Sequence, residues 1–176
     1  MRSQFLDRMI RAAKLDAALY EEVEADESAI QQAFFVVLLA SIAGGIGVGV
    51  MEEGDFFRDI VGGTIINMLG WLIWAFLTYW IGTTLFRTDK TASNYGELLR
   101  TIGFASSPSI LRVLGVVPVL RNPVLLITSV WSLLAMVVAV RQALDFSTHR
   151  AVGTCLVGWL VSTTFLVVLM VLLRMQ

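Results

Sequence analysis

Four stretches of the chain run for a long distance without a charged residue: 33–51 over 19 residues, 60–86 over 27, 122–140 over 19 and 151–173 over 23. A helix rises about 1.5 Å per residue, so each stretch predicts a helix able to cross roughly 30 Å of hydrocarbon. A fifth stretch, 101–120, is interrupted by Arg112 and by Pro108. Proline removes a helix hydrogen bond, so this segment is expected to kink or break at Pro108. Ahead of the apolar stretches, residues 3–24 follow the helical period. Phe5, Leu6, Met9, Ile10, Ala13, Ala17 and Tyr20 gather on one side, opposite Asp7, Arg8, Arg11 and Lys14. The expected fold is therefore all-α: a polytopic transmembrane helical bundle of five spans, with a kinked third segment and an N-terminal amphipathic helix. Residues 1–32 form an acidic, cytoplasmic N-terminal arm, and residues 33–173 form the membrane domain.

Composition sharpens this picture. Apolar residues make up 57% of the chain and charged residues 15%, against about 25% charge in soluble domains. A formal charge of −1 leaves no basic face to displace counterions from phosphate, which sets nucleic-acid binding aside. The single cysteine, Cys155, excludes an internal disulfide, and the single histidine, His149, has no second imidazole to complete a zinc site. The first apolar window opens only after the acidic run at 21–27, so the pattern predicts a retained first helix rather than a cleaved leader. With a cytoplasmic N-terminus, five spans leave nine Lys/Arg inside and three outside, whereas a re-entrant third segment gives ten against three. Either count orients the N-terminus, and neither selects the number of spans.

A few positions in the membrane segments stand out chemically. Ser41, Gly45 and Gly49 recur every four residues and predict a flat stripe for close helix packing or contact with a partner subunit. Asn67 and Arg112 are the intramembrane polar candidates. A charge at mid-bilayer costs roughly 2.5–3.5 kcal/mol, and Arg112 lies about 12 Å of helical rise before Leu120, so it calls for shielding by neighbouring helices. The hydroxyls of Ser106 and Ser107 can satisfy backbone groups freed by Pro108. Asn94 followed by Glu97 has the form of a capping box opening the next helix. Trp71 and Trp74 share one face of the second apolar stretch, where a bound lipid or pigment remains open; no cofactor is identifiable.

Two segments carry a family resemblance. YGELLRTIGFASSPSILRVLGVVP (95–118), with Pro108 inside it, resembles the third-segment signature of prokaryotic members of the Yip family of membrane proteins. VWSLLAMVVAVRQALDFSTHRAVGTCLVGWLV (130–161), with Trp131 and Arg141, is similar to the following two segments. The resemblance implies five helical spans in the cytoplasmic (inner) membrane, with the C-terminus opposite the N-terminus. Eukaryotic members are associated with Rab-type GTPases and vesicle transport. Their Asp-Leu-Tyr-Gly-Pro motif is absent here, and the acidic run stands in its place.

The expected function is a non-catalytic organiser or accessory subunit of a larger membrane complex. Its partners would be other membrane proteins, a second copy of itself and the bilayer, with no clear small-molecule substrate. No paired carboxylates, nucleophile with base or ligand set marks an enzyme. The alternative is a small transporter or channel in which Arg112 and Asn67 line the path.

Overall fold

The computed structural model describes the backbone of residues 2–49, 56–89, 91, 93–174, and the side chains of most of these up to residue 164. All regular elements among the described residues are helical: α1 (Arg2–Ala13), α2 (Ala17–Ala25), α3 (Ala29–Gly49), α4 (Phe56–Thr84), α5 (Tyr95–Ala105), a 3-10 helix (Ser107–Val116), α6 (Pro118–Ala143) and α7 (Thr148–Arg174). The chain is thus an all-α polytopic bundle with an N-terminal arm.

The arm is two helices, not the single amphipathic helix that the periodicity of 3–24 suggests. At the end of α1, Leu15 adopts φ 62°, the amide of Asp16 bonds the Arg11 carbonyl at 3.1 Å, and that of Leu15 bonds Ala12 at 3.0 Å. This is a Schellman stop with leucine in place of the usual glycine. The Asp16 side chain then accepts from the Ala18 amide at 3.0 Å and caps α2. Helical periodicity survives across the break, which is why the sequence pattern hides it.

The kinked third segment also resolves into two parts. α5 opens with the Asn94–Glu97 capping box and stops at Ala105. The chain then tightens into 3-10 geometry with Pro108 in its first turn. Pro108 cannot donate to the Phe104 carbonyl; the Ser107 hydroxyl does so instead at 2.7 Å, and the Ser106 hydroxyl bonds the Ile102 carbonyl at 3.4 Å. Leu120, assigned from sequence to this segment, belongs to α6.

Contacts fix the directions of the helices. Gly103 lies on Ala33 and Gly115 on Gly47, so α5 and the 3-10 helix climb α3 in parallel. α6 returns past them, with Ser132 opposite Ser109 and Thr128 opposite Arg112. α7 runs against α4, with Gly153 on Phe86 and Gly158 on Trp74 and Ile81. The chain therefore alternates between an end carrying the arm and a far end, and α7 heads for the far end. The buried core is concentrated at the arm end, where Leu19, Tyr20, Val23, Val36, Leu98, Ile102, Phe104, Val140 and Leu144 are almost wholly enclosed.

The tightest crossing is between Gly47 of α3 and the 3-10 helix. A Cβ on Gly47 would collide with the Arg112 carbonyl oxygen, and one on Gly115 would lie 3.0 Å from the Gly47 carbonyl oxygen. By contrast, a Cβ on Gly62 of α4 meets nothing within 4 Å. Gly47→Val is therefore expected to destabilise the bundle by about 3 kcal/mol, and Gly62→Ala to leave stability within about 0.5 kcal/mol or raise it. Thermal unfolding of both variants in detergent checks the contrast.

Candidate functional site

α3 packs on both α4 and the 3-10 helix, and the slim 3-10 coil leaves a gap between those two. The gap is a cavity of about 440 Å³, walled by Val37, Ala40, Ser41 and Gly44 of α3 and by Ile66, Asn67, Gly70, Trp71 and Trp74 of α4. Ile102, Ala105, Ser109 and Arg112 complete it on one side, and Ser132 and Met136 of α6 on the other. Its mouth lies on α4, where Ile66 is 71% exposed and Asn67 is exposed.

The polar groups of this cavity are unevenly satisfied. The Ser109 and Ser132 hydroxyls bond each other at 2.8 Å, and Trp71 Nε1 donates to the Leu99 carbonyl at 3.2 Å. Asn67 Nδ2 donates to Gly63 of its own helix at 2.9 Å, so its acceptor oxygen is not used there. Trp74 Nε1 is buried with no acceptor among the described residues. Among the described residues Arg112 makes only two bonds, both long at 3.4 Å, from Nε to Thr128 Oγ1 and from Nη2 to Ser129 Oγ. No ion pair to Arg112 occurs among the described residues, where the pairs all lie in the arm. The Arg112 carbonyl sits over Gly47, two residues from the end of α3, and its Cδ reaches back to Gly44. The guanidinium therefore points inward from the far end, between α3 and α6.

The other positions marked in the sequence fall as follows. Ser41 is buried in the cavity wall. Gly45 faces α4, where a Cβ would lie 3.3 Å from Ile60 Cγ1. Gly49 closes α3, and its surroundings lie outside the described residues. Pro108 is buried at the start of the 3-10 helix. His149 is exposed and Cys155 is buried.

A second polar centre joins the arm to the bundle. Arg100 of α5, only 7% exposed, donates from Nε to the Val23 carbonyl at 2.9 Å and from Nη2 to the Glu24 carbonyl. These are last-turn carbonyls of α2, which lack partners within their own helix. Trp131 Nε1 of α6 likewise donates to the carbonyl of Ala13, the last residue of α1, at 2.7 Å, and the Tyr20 hydroxyl bonds Ala12 at 3.2 Å. Arg8, 3% exposed, pairs with Glu22 and Asp26 at 2.8 Å each, and Arg11 pairs with Glu22 at 2.6 Å and Asp16 at 2.8 Å. Hydrogen bonds from Arg11 and then Arg8 hold the Glu22 carboxyl below the usual carboxylate range. Bonds from Ser28 and Arg8 do the same for Asp26, and Arg11 does so for Asp16. Two of the five carboxylates of the acidic run, Glu22 and Asp26, thus lie folded against the arm's own arginines. Sequence patterning assigns neither Arg100 nor Gly47 its role: Arg100 lies at the head of the kinked segment with no visible partner, and the four-residue spacing draws attention to Gly45 rather than to Gly47 two positions on.

Three helices among the described residues, Ala29–Gly47, Phe57–Thr84 and Pro118–Ala143, are long and apolar enough to cross a membrane, and α7 carries a further 23 uncharged residues. Together with the bundle they define an integral membrane protein. The Yip1 domain matches residues 17–171, and the chain belongs to that family. Comparison with curated proteins and with solved structures gives no significant match. The matched region begins at the first residue of α2 and so includes the helix that caps Arg100.

Glu24 is the group through which the arm is expected to respond to pH. It is half-buried, and burial first, then the charges of Glu97, Asp145 and Glu21, outweigh Arg100 and push its carboxyl up to about 7. A raised carboxyl favours docking while protonated, and that contribution is lost as pH rises from the unfolded value of about 4.5 through about 7. Asp16, Glu22 and Asp26 are lowered, so their contribution disappears as pH falls below the ordinary carboxylate range. Hydrogen exchange of residues 2–25, corrected for intrinsic rates, is expected to be slower at pH 5 than at pH 8. Glu24→Gln should abolish that difference.

Proposed function

We propose that the protein is a non-catalytic organiser or accessory subunit of a larger membrane complex, held in the cytoplasmic membrane with its arm on the cytoplasmic side and its C-terminus opposite. The observation that carries this reading is the outer face of α4. Only 11% of its span is buried within the chain, against 39% for α3. A Cβ at Gly62, Gly63 or Gly70 on that helix would meet nothing within 4 Å. Lipid tails are as apolar as a neighbouring helix, so association in a bilayer rests on close backbone approach, which glycines permit. Gly45 already has Ile60 of α4 against it, so the Gly63–Gly70 face is the better place for a helix from another subunit.

Capture through a tag on the N-terminal arm after mild detergent extraction, followed by mass spectrometry, tests this reading. A membrane partner, or a second copy, is expected at comparable stoichiometry, with recovery reduced at least fivefold by Gly63→Leu with Gly70→Leu. Recovery of the unsubstituted chain alone as a monomer would overturn it.

The alternative, a small transporter or channel, draws support from the cavity that brings Arg112 and Asn67 into one set of walls. It predicts solute flux in liposomes that Arg112→Ala suppresses at least tenfold; flux indifferent to that substitution removes the reason for it.

A further inference from the structure

We infer that the cavity between α4 and the 3-10 helix is a binding site for a phosphate-bearing anion, with a phospholipid headgroup entering laterally from the far-end leaflet as its source. The mouth at Ile66, Asn67 and Gly70 shares its face of α4 with the partner surface proposed above, but the argument rests on the cavity's own walls and not on a partner. Three observations on the same walls carry it. First, Arg112 has no carboxylate partner among the described residues and makes only two bonds, both at 3.4 Å, to neutral hydroxyls. A guanidinium offers five donors in a planar fork that matches a phosphate, so most of its capacity is uncommitted. Second, Trp74 lines the cavity and its buried indole N–H has no acceptor among the described residues, an uncompensated cost in these walls. Third, the walls supply no negative charge: beside Arg112, the polar lining is serine, asparagine and tryptophan.

The geometry suits a lipid better than a water-borne solute. The mouth lies on α4 at Ile66 and Asn67, and the exposed residues flanking it, Leu69 and Ile73, are apolar, as a surface facing acyl chains would be. The volume of about 440 Å³ falls within the roughly 300–1,000 Å³ range of small-molecule sites. Arg112 rises from the level of Gly47 toward Gly44, so its charge lies a short way inside the far end of α3. A phosphate on Arg112 would leave the glycerol backbone between there and the mouth on α4, in the space that Trp74 also lines.

The test uses the full chain in a non-ionic detergent, titrated separately with dihexanoyl phosphatidylglycerol, inorganic phosphate and dihexanoylglycerol, which lacks phosphate. Adducts are read by native mass spectrometry and occupancy by tryptophan fluorescence. Phosphatidylglycerol is expected to bind, with at least tenfold loss in Arg112→Gln and retention of most affinity in Arg112→Lys; circular dichroism confirms that each variant is folded. Trp74→Phe should weaken binding a few-fold and provides the test if Arg112→Gln fails to fold. Binding of phosphatidylglycerol alone supports a headgroup site, and binding of inorganic phosphate as well supports an anion site open to water. Phosphate binding alone upholds the anion site and removes its lipid source. Equal binding of dihexanoylglycerol, full affinity in a folded Arg112→Gln variant, or no binding of either phosphate compound overturns the inference.

Discussion

The structure turns on Arg100. A guanidinium inside an apolar core is tolerable only where its donors are met, and here the free carbonyls at the C-terminus of α2 meet them. Each such bond to a charged donor contributes roughly 1.5–3 kcal/mol, and removing the acceptors would leave a buried charge uncompensated. The exchange is reciprocal, because a helix end needs donors as much as a buried arginine needs acceptors. α1 repeats the arrangement with Trp131 on the Ala13 carbonyl. The arm is therefore part of the bundle: without it, α5 and α6 would each hold a buried donor facing nothing, and Leu19, Tyr20 and Val23 would lose their enclosure.

The opposite end follows a different logic. There the backbone itself makes the contacts, through the Gly47 and Gly115 crossing, and the change from α to 3-10 at Pro108 narrows the fourth wall of the bundle. Ser106 and Ser107 absorb the polar consequence of the break, but nothing fills the lost width. The cavity is thus a steric result of the proline, and Arg112 borders it because the 3-10 turn places its carbonyl on Gly47 and its side chain beside Gly44. Side chains pack densely at the arm end, whereas the far end keeps open walls. Local openings of low cost are expected where buried apolar contacts are few, which suits a face that admits lipid or a partner.

Much of the fold was legible because membrane helices are written as long uncharged runs, and because Asn94 with Glu97 and Pro108 with its flanking serines are local signals whose physics does not depend on the rest of the chain. The break at Leu15 was not legible, since a leucine with positive φ carries none of glycine's sequence signature. Arg100 shows another limit: its polarity marks it at the head of the kinked segment, but its acceptors belong to α2 and appear only once α2 lies over it. Gly47 illustrates the same limit. Small residues crowd α3 at positions 41, 44, 45, 47 and 49, and several registers fit the pattern equally well until the neighbouring helices are in place. Asn67 and Arg112 stood out by polarity alone, yet their sharing one cavity depends on how α4 and the 3-10 helix are spaced by α3.

The two polar centres differ in one respect that bears on function. Arg100 and Arg8 are closed by acceptors within the chain, at distances of 2.8–2.9 Å where the geometry is ordinary, so they stabilise a single arrangement and offer little to an outside ligand. Arg112 has neutral partners at 3.4 Å and opens on a cavity whose mouth is flanked by the apolar Leu69 and Ile73. A charge retained at a membrane depth where insertion disfavours it, yet left incompletely compensated by the described residues, points toward a partner from outside rather than toward the stability of the fold. That asymmetry separates the arginines closed within the described fold from the one proposed to meet a ligand. The proposed ligand site therefore lies at the far end of the bundle, opposite the arm.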